Sequence, residues 1–104
     1  MQAQKLEARQ HKRAQDSTLR AFHRYVHEQL QSERKDEILR RARARIGLWK
    51  QGQLCSDYYI RFWSQVVNSG DSEVFKQRVL QASERQALGM MQNTPFSFLM
   101  REVR

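Results

Sequence analysis

The sequence predicts an all-α fold: a single small bundle of about four to five helices, preceded by a polar N-terminal segment. Three observations lead there. One Pro and four Gly in 104 residues, against 29% charged side chains, favour helices over a turn-rich β fold. Apolar residues return at spacings of three and four and nowhere alternate as a strand requires. Capping residues and single glycines separate these stretches by short connections, as in packed helical neighbours.

The elements follow in order. Residues 1–15 are almost entirely polar, with Leu6 the only large aliphatic after Met1. They have no face to bury and read as a frayed tail or an extension of the first helix, which leaves 16–104 as the helical domain. Asp16-Ser17-Thr18 supplies N-cap chemistry. Beyond it Leu19, Phe22, Val26 and Leu30 fall within an arc of about 80°, a narrow stripe. Asp36 is placed to cap a second helix running to Gln51. Its Ile38, Leu39, Ala42, Ile46 and Trp49 share an arc of about 100°, and Gly52 offers a left-handed end.

Ser56 or Asp57 caps a third helix. Tyr59, Ile60, Phe62, Trp63, Val66 and Val67 cover nearly half its circumference, so it should be the most buried. Asn68-Ser69-Gly70 closes it, and Asp71-Ser72 opens a fourth with Val74, Phe75, Val79 and Leu80 as apolar residues. Ser83-Glu84-Arg85-Gln86 fits a capping box ahead of Ala87, Leu88, Met90 and Met91. Thr94-Pro95 reads as an N-cap followed by Pro in the first helical position, starting one last turn.

Charge is uneven. The chain carries 19 basic and 11 acidic side chains, a formal net charge of +8. Residues 1–50 hold 13 of the basic and 6 of the acidic groups, whereas eight of the ten aromatics lie from Trp49 onward. The basic half and the core-forming half overlap only in part. No apolar run approaches the roughly 20 residues of a membrane span, and the polar N-terminus does not resemble a secretory signal. A lone Cys55 cannot close an internal disulfide, so a cytoplasmic setting is expected.

Each candidate site also has a plain structural role. Arg41 and Arg45 flank one side of the second helix's apolar stripe; Arg40, Arg43 and Lys50 flank the other. Guanidinium forks suit phosphates and carboxylates alike, while the plainer role is a solvated helix whose long stems cover the core edge. A helix-turn-helix fits poorly, because the helix after Gly52 is aromatic and that after Gly70 starts with acidic residues. His23 and His27 stand four apart, a spacing that suits two metal ligands, yet only His11 and Cys55 remain to complete a set. No metal or other cofactor is expected. Cys55 has no pattern of base or oxyanion donors around it, though its place before a helix start would lower its pKa. The glycines are scattered singly, so no phosphate loop is present. A non-enzymatic protein with no small-molecule substrate is expected. The narrow stripe on the first helix, with Met90, Met91, Phe96, Phe98, Leu99 and Met100, serves either the core or an interface for another protein.

Between Glu37 and Phe96, Ala42-Arg43-Ala44-Arg45-Ile46 with Trp49, Gly52, Tyr59, Trp63, Leu80, Leu88 and Asn93-Thr94-Pro95-Phe96 resembles a family of small bacterial helical proteins. In that family a Trp-x-x-Gly helix ending precedes an aromatic-Trp helix, and a Ser/Thr-Pro-Phe motif closes the domain. Met91 stands where that pattern carries arginine. Such proteins look like products of toxin–antitoxin or other mobile-element loci. The resemblance implies an antitoxin-like or chaperone-like protein that neutralises a toxin encoded nearby by occluding its active cleft. The side chains expected to make that contact are Phe22, His23, Val26, Leu30, Arg41 and Arg45. The alternative is a nucleic-acid-binding regulator, a DNA-binding repressor, that sets Arg40, Arg43 and Lys50 on phosphates.

Overall fold

The computed structural model describes residues 17–103, and of residues 84–87 the backbone alone. The segment 1–15, Asp16 and His11 lie outside the described residues. Helix α1 covers residues 17–30. It is followed by α2 (Lys35–Gly52), α3 (Asp57–Ser69), α4 (Ser72–Phe75), a π-helical turn (Lys76–Leu80), α5 (Glu84–Gln92) and a 3-10 helix (Ser97–Glu102). No strand occurs among the described residues. The fold is the expected all-α bundle.

Several boundaries differ from the sequence expectation, each for a local reason. Helix α2 begins ahead of Asp36, with Arg34 as its N-cap residue. The turn after α1 closes tightly: Ser32 Oγ accepts from the Arg34 amide at 3.2 Å, and the Lys35 amide donates to the Ser32 carbonyl at 3.2 Å. The chain therefore enters α2 already wound, and Asp36 and Glu37 sit in its first turn, where carboxylates oppose the helix dipole. At the other end α2 runs through Gly52, and Gln53 takes the left-handed conformation at φ 51°. Leu54 folds back over the helix end, where a Cβ on residue 52 would meet its Cγ at 3.0 Å. A side chain there would press on Leu54, which is exposed and would have to shift, while Gln53 bears the backbone strain. Gly70, at φ 62°, ends α3 as expected.

Asp71 caps α4, its Oδ1 accepting from the Glu73 amide at 2.9 Å. After one turn the hydrogen bonding widens, and the Gln81 amide donates to the Lys76 carbonyl at 2.9 Å. This π turn is absent from the sequence pattern, which reads as an ordinary helix. Ser56 and Ser83 stand at the N-cap positions of α3 and α5 with extended backbones but make no side-chain cap bond. Thr94 and Pro95 form a turn rather than the start of a helix: Thr94 Oγ1 accepts from the Phe96 amide at 3.2 Å, and the 3-10 helix begins only at Ser97.

The core is organised around Trp63 on α3. Its ring meets Phe62, Phe96, Phe75 and His23 at centroid distances of 5.1 to 6.4 Å, and its indole Nε1 donates to the Met90 carbonyl at 3.2 Å. This satisfies the one polar atom of a fully buried ring. Around it α1 contributes Phe22, Val26 and Leu30, α2 contributes Ile38, Leu39, Ala42 and Ile46, and the C-terminal turn contributes Phe96 and Leu99. Helix α5 approaches α3 closely at Gly89, where a Cβ would lie 3.0 Å from Tyr59 Oη. Glu102 secures the 3-10 helix: Arg34 donates to both its oxygens, at 2.7 and 3.1 Å, and Tyr25 Oη donates at 3.0 Å.

Candidate partner-binding face

Four of the side chains expected at an interface lie in the interior. Phe22, His23, Val26 and Leu30 are each at most 4% exposed. This is a correction: the stripe on α1 is narrow because it fills one groove of the protein's own core, not because it awaits a partner. Met90, Met91, Phe96 and Leu99 are likewise buried, and Phe98 is half-buried.

His23 shows how complete that burial is. Its Nδ1 lies 2.8 Å from the Leu19 carbonyl, which can only accept, so the proton resides on Nδ1. Its Nε2 is buried without a hydrogen-bond partner among the rings of Phe22, Trp63 and Phe75. Burial lowers the imidazole pKa to about 4, against a smaller opposing effect of the Leu19 bond, and the ring is neutral at pH 7. His27 stacks on Phe75 at 6.2 Å, and its Nε2 is also buried without a partner. Among the described residues no three His, Cys, Asp or Glu side chains converge as a metal site would need. Burial pushes the Cys55 thiol pKa up, outweighing a backbone hydrogen bond from Ser56, so the expected lowering does not occur.

The arginines of α2 sit outside, on two distinct sectors. At about 100° per residue, Arg41, Ala44, Arg45 and Leu48 line one sector, and Arg40, Arg43, Gly47 and Lys50 line another. The buried residues occupy the third. Arg43 is spent on the protein itself: Nε donates to Asn68 Oδ1 at 3.3 Å and Nη2 reaches the Val67 carbonyl at 3.5 Å. Its charge therefore rests at the C-terminus of α3, where the helix dipole favours a cation. Arg40 and Lys50 are exposed and make no hydrogen bond or ion pair among the described residues.

The Arg41 sector is built differently. The 3-10 helix crosses beside it, so that the Arg41 guanidinium lies 4.2 Å from the Phe98 ring centroid and Arg45 Nη2 donates to Ser97 Oγ at 3.3 Å. Two hollows flank Arg45. One, of about 310 Å³, is lined by Arg41, Ala44, Leu48 and Phe98. The other, of about 220 Å³, is lined by Trp49, Leu54, Thr94, Ser97 and Met100 among others. Leu48, Leu54 and Met100 are 53%, 72% and 42% exposed, which makes this the face where large apolar side chains meet solvent together. Arg41 and Arg45 were legible on the helical wheel. Leu48 also carried a signal, since it is an aliphatic residue outside the core arc of α2, whereas Phe98 and Met100 come from an element some 50 residues onward.

No family model, curated protein or solved structure matches this chain. No helix among the described residues is long and apolar enough to cross a membrane.

Proposed function

We propose that this protein is a small, non-catalytic binding module, antitoxin-like or chaperone-like, that neutralises a partner protein in the bacterial cytoplasm by covering its active cleft. The observation that carries this reading is the Arg41–Arg45–Leu48 face. It combines exposed aliphatic side chains with guanidinium groups that form no ion pair at contact distance among the described residues. An apolar floor with a polar rim is the composition of protein interfaces, and arginine is enriched in them. The resemblance to small proteins of toxin–antitoxin loci supports the same reading.

The test is a pull-down with the full chain as bait from its native host at 300 mM salt, repeated with an Arg41→Glu/Arg45→Glu variant. One stoichiometric protein, held by the wild type and lost by the variant, is expected. Expressed alone that protein should arrest growth, and co-expression of the wild-type chain should relieve the arrest. A captured protein that has no effect on growth rejects the neutralising role.

A second reading is favoured by one observation: Arg40 and Lys50 are exposed and make no hydrogen bond or ion pair among the described residues, although Asp36 shares their sector one turn before Arg40. They could rest on nucleic-acid phosphates. Nucleic acid retained in place of a protein, with affinity falling steeply between 50 and 200 mM salt, would favour a regulator. The engagement of Arg43 with α3 removes one of the three cations on which that reading relies.

A further inference from the structure

We infer that the face recognises an acidic peptide segment in which an Asp or Glu stands between two large apolar residues. This rests on the binding-module reading above and adds the chemistry of the occupant. Arg45 is the ridge between the two hollows and lines both. It spends one hydrogen bond, on Ser97 Oγ, out of the five donors a guanidinium carries. Its remaining N–H groups have no acceptor among the described residues. A carboxylate placed against them gains charge-assisted, two-pronged hydrogen bonds. Apolar side chains on either side of it enter the hollow beside Leu48 and the hollow beside Leu54 and Met100, covering surface that is now exposed.

Charge complementarity selects this occupant over others. A second copy of the chain brings a net charge of +8 to a face that is itself cationic. The segment 1–15 brings four basic side chains against one acidic. Each carries acidic side chains, eleven in the copy and Glu7 in the segment, but both are net cationic and are repelled from this face. Single-stranded nucleic acid stacks its bases on exposed rings, whereas here the Phe98 ring already carries the Arg41 guanidinium at 4.2 Å and the Trp49 ring is half-buried. Of the acidic groups near this face, Glu102 is held by Arg34 through both oxygens, and Glu37 stands one turn before Arg41 on the same sector; neither bonds to Arg45 among the described residues.

The experiment pans a random 16-residue peptide display library on the full chain at 150 mM salt, then measures selected peptides by fluorescence polarisation against wild type, Arg45→Glu and Leu48→Glu. Far-UV circular dichroism checks that both variants stay helical. The expected binders carry Asp or Glu flanked within a few positions by Leu, Ile, Phe or Met. Arg45→Glu should weaken them at least tenfold, and exchanging the peptide's acidic residue for Lys should restore part of the loss on that variant. Binders with no acidic residue, binders indifferent to Arg45→Glu, or no binder at all would overturn the inference. So would a random-sequence DNA duplex that binds more tightly than every selected peptide at 300 mM salt. If the host pull-down yields a partner that holds wild type and Arg45→Glu equally, the module reading stands and this mode of recognition fails.

Discussion

Helices α1 and α2 each display an apolar stripe bordered by basic side chains, yet the fold treats them in opposite ways. The α1 stripe is sealed beneath α3, α4 and the C-terminal turn, so that even its histidine loses contact with water. On α2 one stripe is sealed, while a second apolar position, Leu48, stays exposed beside Arg41 and Arg45. The difference teaches that helical spacing identifies a face but not what covers it. Coverage is decided by elements that arrive later in the chain.

The sharpest way to break the comparison is to place a carboxylate in each stripe. Phe22→Glu should lower stability by at least about 4 kcal/mol, because it removes a buried ring and strands a charge in the core. Leu48→Glu should change stability by no more than about 0.5 kcal/mol. Urea unfolding followed by circular dichroism reads both. A folded Phe22→Glu protein would return the α1 stripe to the surface.

Acid should act on α1 before it acts elsewhere. The unfolded His23 titrates near pH 6.5 and the folded one near 4, so the unfolded state binds the proton first as pH falls through this window. Stability should drop between about pH 6.5 and 4 by up to about 3 kcal/mol from this one group. His23→Phe should flatten that part of the profile. Glu102, held below the ordinary carboxylate range chiefly by its hydrogen bond to Arg34, behaves differently. Its contribution is intact above the unfolded carboxylate pKa and fades only as pH falls through its lower folded value. A profile that starts to decline only below pH 4 would place His23 in a wet environment.

Two smaller effects sharpen the picture at the edges of the exposed face. Gln53→Gly should raise stability by about 0.5–1 kcal/mol, because glycine accepts the left-handed conformation that Gln53 now bears. Equilibrium urea midpoints suffice to see it. Glu102→Gln should leave the global midpoint almost unmoved, since Arg34 and Tyr25 are solvent-accessible partners. Amide exchange across 97–102 should quicken, and with it the mobility of Phe98 beneath Arg41.

Much of the fold was legible in the sequence because local chemistry agrees with it: Gly70 ends α3, Asp71 caps α4, and the broad aromatic face of α3 is the centre of the core. What was not legible depends on distant partners. The π turn at Lys76–Leu80 has no sequence pattern of its own. The left-handed residue is Gln53 rather than the glycine before it, which has Leu54 packed over it. For the candidate face, the wheel finds Arg41 and Arg45 but not that Phe22, His23, Val26 and Leu30 are buried; the rings that cover His23, Trp63 and Phe75, lie 40 and 52 positions later.

The late placement of Phe96 and Leu99 has a consequence for synthesis. Both are fully buried, and the Phe96 ring meets Trp63 at 5.8 Å and Phe75 at 5.6 Å. A ribosome extends the chain from its N-terminus at roughly 5–20 residues per second. Helices α1 to α4 therefore leave the exit tunnel seconds before the residues that close over them. During that interval the stripe of α1 and the rings of α3 are open to whatever binds nascent apolar surface, and emergence of the turn that carries Phe96 and Leu99 is the event that withdraws them.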